Sequence, residues 1–459
     1  MSYSDLRAKI LEVADSTIKW SKDLNMPSAE AFVFYQNLSQ LNWNKGKVDS
    51  RDGIIQGVGI RVADGQKVGF SSCTGFSEKS IKNALQQAFS IANASPPNPR
   101  FTGFTGSSQP SNEGILDENF LSVDSDLLAS QAKMLANEGK SYDERLIGLA
   151  IEIKTAHLGI AIGTTEGCFV SSLNNFHQAS ADSVVSDGGN RKSGFNMEYS
   201  RKIQDVAGIG TKAVEQGLKA LNSKKLDKSF TGKAILHHET ASELYGTAFS
   251  VGLNGGSYVN KRNPFAPKLG SQLAIDNLNI IDDAQNPEYL KTMAVDAEGT
   301  PTQNTQVLEN GVLTTFLYNK MYGDATELGT TGNCSRGIFG GGIPFESNLG
   351  ISPRQLVVTP GSKDLETLIS EIDTKAVLIE GHPIGIHTTN WMTGDMSVTS
   401  SNAYLVEKGE ILHALSNISF AGNLYKSLLN IKEIGSDLKV TKNALLSPSL
   451  VVDDFTFSS

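Results

Sequence analysis

Between Asp5 and Leu24 the apolar residues Leu6, Ile10, Leu11, Val13, Ala14, Ile18 and Trp20 recur at helical spacing and predict an amphipathic opening helix. The period then changes. Ala29 to Tyr35 and Ser39 to Trp43 read as strands, and Ile54 to Val62 and Lys67 to Phe70 as two more joined at Ala63-Asp64-Gly65. A helix from Ser77 to Ala94, with Ser77 as N-cap, ends before Ser95-Pro96-Pro97-Asn98-Pro99. Residues 96–115, rich in Pro, Gly, Ser and Thr, read as a linker or long surface loop. Beyond it come a helix over Leu127 to Ala136 and strands over Ile147 to Lys154, Leu158 to Thr164, Cys168 to Asn175 and Asn196 to Ser200. Asp205 to Leu221 returns to helix. From Gly232 onward short apolar runs alternate with glycine turns, and Ala403 to Ile411 is a hairpin signal with its turn at Lys408-Gly409.

This pattern predicts an α+β fold in three parts: an N-terminal α/β module over 1–95, a linker and middle α+β domain over 96–225, and a large antiparallel β-rich C-terminal domain over 226–459. A chain of 459 residues is long for one core, which agrees with a division into parts of roughly 100–200 residues. Its 44 glycines and 7% aromatic residues favour turns and β structure. A formal charge of −9 argues against a nucleic-acid surface as the main business of the chain. Cys73, Cys168 and Cys334 lie far apart without a Cys-x-x-Cys spacing, so neither a disulfide framework nor a cysteine zinc site is indicated. No apolar run approaches the ~20 residues of a membrane span, and the amphipathic N-terminus lacks a secretory pattern. A cytoplasmic location is expected.

Candidate chemistry centres on His237-His238-Glu239-Thr240-Ala241-Ser242-Glu243. A peptidase zinc takes about three protein ligands and leaves one position for water, and a Glu beside the first His would act as general base. Here a carboxylate stands where a second histidine would be wanted. In plain structural terms the apolar strand Ala234-Ile235-Leu236 enters a helix, Glu239 sits by its positive end and Glu243 is a solvated side chain. Side chains five apart on a regular helix point about 140° away from each other, so a metal shared by His238 and Glu243 needs a distorted turn. His382 and His387 flank Pro383-Ile384-Gly385-Ile386 with Asp395 nearby, in a loop of the kind that contacts ligands. His387, Asn390 and Asp395 are the candidates for a peptide-contacting edge. The cluster Gly337 to Gly342 has neither dinucleotide nor P-loop spacing, and nothing in the sequence orients a base toward Cys334.

Three segments together resemble the TldD/PmbA family, peptidase-related proteins once described as modulators of DNA gyrase. The first is Gly57-Val58-Gly59-Ile60-Arg61-Val62 with Gly69-Phe70. The second is Asp296-Ala297-Glu298-Gly299-Thr300-Pro301, continued by Val307 to Leu313 and by Thr331-Gly332-Asn333. The third is Asn390 with Gly394 to Ser397, then Glu407 to Ile411, Ala421 to Leu424 and Ile434 to Asp437. Each piece alone is what a β-turn would show, since Glu309-Asn310-Gly311 and Gly/Pro near Asp are turn chemistry. Their order and combination carry the resemblance, which spans most of the chain.

The resemblance implies a cytoplasmic α+β protein that assembles as a dimer, in which a zinc-bearing TldD-type subunit degrades unfolded or short peptides and helps mature modified peptides. The TldD type carries a His-Glu-x-x-x-His motif and a late cysteine ligand. Here the motif ends in Glu243, and Ile434 to Asp453 contains no cysteine, so two of the three implied ligands are absent. The closer resemblance is to the PmbA/TldE type, the non-catalytic partner. The expected protein is a subunit without its own complete zinc site, working on peptide substrates with a TldD-like partner that holds the zinc, or as a homodimer. Two alternatives stand beside it: a self-sufficient metallopeptidase with His238 and Glu243 (or His237) as zinc ligands and Glu239 as base, and a non-enzymatic peptide- or protein-binding module.

Overall fold

In the computed structural model, which describes residues 1–338 and 342–459, the first half of the chain forms one six-stranded sheet. The order is β3 (Lys67–Thr74), β2 (Lys47–Asp64), β1 (Ser28–Asn44), β4 (Leu146–Thr164), β5 (Phe169–Asp187), β6 (Asn190–Ser200), every pair antiparallel. Segments 1–95 and 96–225 therefore share a sheet: β1 bonds β2 along one edge and β4 along the other, from Glu30↔Thr164 to Asn44↔Ala150. The strands are longer than their apolar runs. Ala29 to Tyr35 and Ser39 to Trp43 are one strand, and so are Ile147 to Lys154 and Leu158 to Thr164.

Four helices cover one face: α1 (Tyr3–Asp23), α2 (Glu78–Ala94), α3 (Ser125–Tyr142) and α4 (Ile209–Leu221). The α1 stripe Leu6, Ile10, Ala14 and Ile18 packs on Val33, Tyr35, Val58 and Ile60. Ser77 accepts from the Ser80 backbone N–H and starts α2. Because side chains alternate across a strand, Phe32 and Phe34 point the other way. There they meet Met293, Val295, Ala297 and Phe345 from the second half of the chain. Both faces are thus buried, which accounts for the unbroken apolar run at Ala31 to Tyr35. Each large apolar side chain removed from water contributes about 1.5–3 kcal/mol.

The second half builds two larger sheets and a two-stranded ribbon of Cys334–Ser335 with Gly350–Ile351. The larger runs in the order Asp395–Ser400, Ile418–Asn423, Leu450–Ser458, β7 (Phe230–Leu236), Lys375–Ile379, Ala403–Glu407, Glu410–Leu415, with Ile431–Ile434 added on Leu450–Ser458. The smaller joins Val312–Leu313, Thr305–Glu309, Ile280–Asp282, Leu356–Val358 and Leu445–Leu446. These sheets are not purely antiparallel as the turn pattern suggests. β7 lies parallel to Lys375–Ile379, and Leu356–Val358 parallel to Leu445–Leu446. Parallel neighbours need a long crossover, which short-range turn signals do not record. The hairpin at Asn310-Gly311 matches its sequence, with φ of 48° and 75° at the two turn residues. The glycine cluster at 337–342 lies partly outside the described residues. Among the described residues no helix is long and apolar enough to cross a membrane.

Candidate functional site

β7 sits in the interior of the larger sheet, with Ala234, Ile235 and Leu236 fully buried, and runs straight into α5 (His238–Gly252). Its parallel neighbour places Ile379 beside Leu236 in register, so two chain segments leave the sheet at the same end. One becomes the first turn of α5 and the other the loop from Glu380 to Thr389. Crevices outside the carboxyl ends of parallel strands are where such sheets hold ligands. The His237 N–H donates to the Ile379 carbonyl at 3.0 Å, and the Thr240 hydroxyl donates to the carbonyls of Ile379 and Gly381 at 3.1 and 2.8 Å.

The pairing that follows is between Glu243 and His382. His382 Nδ1 lies 2.6 Å from Glu243 Oε2, and this contact raises the imidazole pKa above its ordinary value. The ring of Phe195, from β6, meets His382 edge-on at 6.0 Å. His237 and His238 lie with ring centroids 4.0 Å apart, and the Nδ1 of each is buried without a hydrogen-bond partner among the described residues. Burial, then the neighbouring His237 and Lys439, push His238 down to about 2, so it stands neutral. Glu239 is half-buried in the first turn of α5 and raises the pKa of the buried Tyr199 phenol, although burial is the larger cause there. The Tyr199 hydroxyl likewise has no partner among the described residues. Lys439 ties the C-terminal tail to β6 through Glu198 at 2.7 Å, and the Ser447 N–H donates to Ser242 Oγ at 3.0 Å. The walls of the cleft are therefore β6, the start of α5, the loop around His382 and the tail near Lys439.

The zinc that the resemblance implies can be tested against these donors. Glu243 is engaged by His382, and among the described residues no three His, Cys, Asp or Glu side chains gather in metal-binding reach. A zinc held by His238 and Glu243 would require Glu243 to leave His382.

His387, Asn390 and Asp395 lie farther along the loop, all exposed. No hydrogen bond joins them to the His237–Glu243 turn among the described residues. Asn390 Oδ1 accepts from the N–H groups of Met392 and Thr393, at 3.0 and 3.3 Å. Asp395 accepts from the Thr393 hydroxyl and Asn423 Nδ2, both at 2.7 Å, and these bonds hold its carboxyl below the usual range. Both side chains shape the turn that carries them. His387 sits in the short helical turn Ile386–Thr388. His382, which with His387 flanks Pro383-Ile384-Gly385-Ile386 in the sequence, meets Glu243 in the fold. Phe195, Tyr199 and Lys439 carry no local signal in the sequence.

Residues of the first two resembling segments meet elsewhere, in a buried ionic cluster between the halves of the chain. Arg61 Nε donates to Glu30 at 2.8 Å and its Nη2 reaches Glu298 at 3.0 Å, while Arg336 reaches Glu30 at 3.1 Å. Asp296 accepts from the N–H groups of Glu298, Thr300 and Cys334 at 2.9–3.0 Å, and burial with the nearby Glu298 pushes it up to about 7. Cys334 is buried and its thiol is raised well above the ordinary value, as burial favours the neutral form. This cluster reads as a fastening of the sheet to the second half.

Comparison with known proteins places these features in context. Residues 230–459 match the PmbA/TldA metallopeptidase C-terminal domain, and residues 29–92 match PmbA/TldA metallopeptidase domain 1. The chain is 26% identical over 413 residues to the metalloprotease PmbA homolog of Haemophilus influenzae, covering 87% of this chain and 85% of that one. It is 25% identical over 407 residues to the metalloprotease TldD homolog of Buchnera aphidicola from Acyrthosiphon pisum, covering 84% and 80%. Its fold is that of TldE from Thermococcus kodakarensis, with a TM-score of 0.85 at 20% identity over 97% of this chain and 100% of that one.

Proposed function

Because this chain belongs to the PmbA/TldA metallopeptidase family, we propose that it is a PmbA/TldE-like subunit of a TldD/TldE-type peptidase complex, acting in the cytoplasm on unfolded or modified peptides. The observation that carries this reading is the Glu243–His382 contact at 2.6 Å. At the position where the TldD type is implied to hold its second histidine ligand, this chain has a carboxylate, and that carboxylate is bonded to a histidine from the neighbouring loop. The catalytic zinc then belongs to a TldD-like partner.

This chain contributes walls and a binding edge. β6 ends its sheet, and Phe195 of β6 packs beside His382 at the mouth of α5. An extended peptide laid along that strand would gain backbone hydrogen bonds on its outer edge, except at Phe195, whose N–H already donates to Gln216 Oε1 at 2.6 Å. Glu239 and His382 would supply polar contacts at its end. The likeness in fold to TldE of Thermococcus kodakarensis supports the TldE-like part of this reading. The test is hydrolysis of an unfolded peptide by this chain alone, by a TldD-type chain alone and by the two mixed. The proposal expects turnover in the mixture, with co-elution of the two chains. Zinc-dependent turnover by this chain alone refutes it.

A second reading, a self-sufficient peptidase, draws on the buried, unpartnered Nδ1 atoms of His237 and His238. Buried polar atoms of this kind call for a partner. It requires Glu243 to leave His382 on metal binding, and loss of metal in His238→Ala would be its signature. Saturable peptide binding without turnover, unchanged by any TldD-type chain, would instead favour a binding module.

A further inference from the structure

A cavity of about 260 Å³ lies on the helix-free face of the six-stranded sheet, beside the cleft just described. Its floor includes Phe176 and Gln178 of β5 and Tyr199 of β6, and its rim includes Leu290, Lys291 and Lys442. Two of these residues join it to the cleft. Tyr199 feels the charge of Glu239, and Lys442 feels that of His382. The cavity and the start of α5 are therefore electrostatic neighbours.

Lys291 is the unusual member. It is half-buried where it lines the cavity, and no ion pair holds it among the described residues. Asp282 acts on it only at a distance and already accepts hydrogen bonds from Asn333 and the Gln355 N–H. Burial lowers its pKa to about 8. The described lining carries two cations, Lys291 and Lys442, and no carboxylate, a charge balance that suits an anion. Gln178 adds an amide, although its Nε2 donates to Glu152 at 3.1 Å. The volume falls below the ~300 Å³ lower end for drug-sized ligands, so it suits one terminal residue better than an extended segment.

We propose that this cavity seats a peptide carboxylate, with Lys291 and Lys442 as its counter-charges and Phe176 and Leu290 against the adjoining apolar atoms. The inference rests on the peptide-handling reading above and gives it a substrate class: peptides that present a carboxylate at one end of the strand laid along β6. The carboxylate has two possible sources, the chain terminus and an acidic side chain.

The experiment uses fluorescent peptides of one sequence in three forms: free C-terminus, C-terminal amide, and C-terminal amide with a final glutamate. Binding is followed by anisotropy with the full chain, alone and with a TldD-type partner. A charge-assisted contact of this kind predicts that carboxylate forms bind about tenfold tighter than the plain amide. Lys291→Met abolishes that preference and Lys442→Gln reduces it. Preference for the free acid over the glutamyl amide assigns the terminus, and equality assigns the acidic side chain. Tight binding without carboxylate preference overturns the cavity assignment and leaves peptide handling intact. Absence of peptide binding in chain and complex overturns peptide handling, and a second readout then judges the cavity. In it, amine acylation of Lys291 is quantified by mass spectrometry in the presence of N-acetyl-leucine or its amide. Protection by the acid alone supports the site, and equal labelling overturns it.

Discussion

Glu243 and His382 are 139 residues apart in the chain and 2.6 Å apart in the fold. They meet because β7 and Lys375–Ile379 are parallel neighbours that end level, so α5 and the next loop emerge side by side. The pair fixes the electrostatics of the cleft mouth.

Glu243→Gln removes the acceptor that raises His382, so the His382 pKa falls in the variant, as read by histidine NMR titration. A histidine whose folded pKa is raised adds stability that is complete below its unfolded value near 6.5 and is lost as pH rises through the folded value. The variant is therefore less stable than the parent at pH 6, and the difference shrinks as pH rises through the folded value. The side chains are 42% and 23% exposed, which limits the difference to about 1 kcal/mol or less. An unchanged His382 titration contradicts the pairing.

His177 behaves in the opposite sense. It is fully buried, its Nε2 lies 3.2 Å from Gln131 Oε1, and burial pushes it down to about 4. Its contribution is complete above pH 6.5 and is lost as pH falls from 6.5 toward 4, because only the unfolded chain takes the proton there. His177→Met should make acid destabilisation shallower by up to about 1.4 kcal/mol per pH unit across that window. Urea unfolding at pH 7, 6 and 5 checks it; parallel slopes in parent and variant refute it.

Arg61 joins Glu30 of β1 to Glu298 of the second half, with side-chain exposures of 12%, 0% and 4%. Arg61→Met leaves Glu30 paired with Arg336, whose other hydrogen bond goes to the Ser347 carbonyl, and leaves Glu298 without an ion-pair partner among the described residues. Breaking such a pair from one side costs roughly 3–5 kcal/mol. The expected result is a lower urea midpoint at pH 7. A loss below about 1 kcal/mol would show that the cluster is not a fastening.

Much of the fold was legible in local pattern. Helical spacing marked α1 and α2, Ser77 marked a cap, and Asn310-Gly311 and Lys408-Gly409 marked turns. What the pattern missed was long-range. β1 was split at the half-buried Gln36 to Ser39, and its pairing with β4 across more than a hundred residues has no local trace. The start of α5 was visible as a strand running into polar residues. Its partner was not, because His382 and His387 stand in one loop and no spacing rule separates them. Only the parallel pairing of β7 with Lys375–Ile379 selects His382. Asn390 and Asp395 drew attention as polar loop residues, and the bonds they make are those of a turn.

The most direct test of the account is the zinc content of the chelator-free chain, measured alone and after mixing with a TldD-type chain, with peptide hydrolysis followed in the same samples. The account predicts negligible zinc and no turnover in the lone chain, and both in the mixture. Stoichiometric zinc with turnover in the lone chain, lost in His238→Ala, would contradict it.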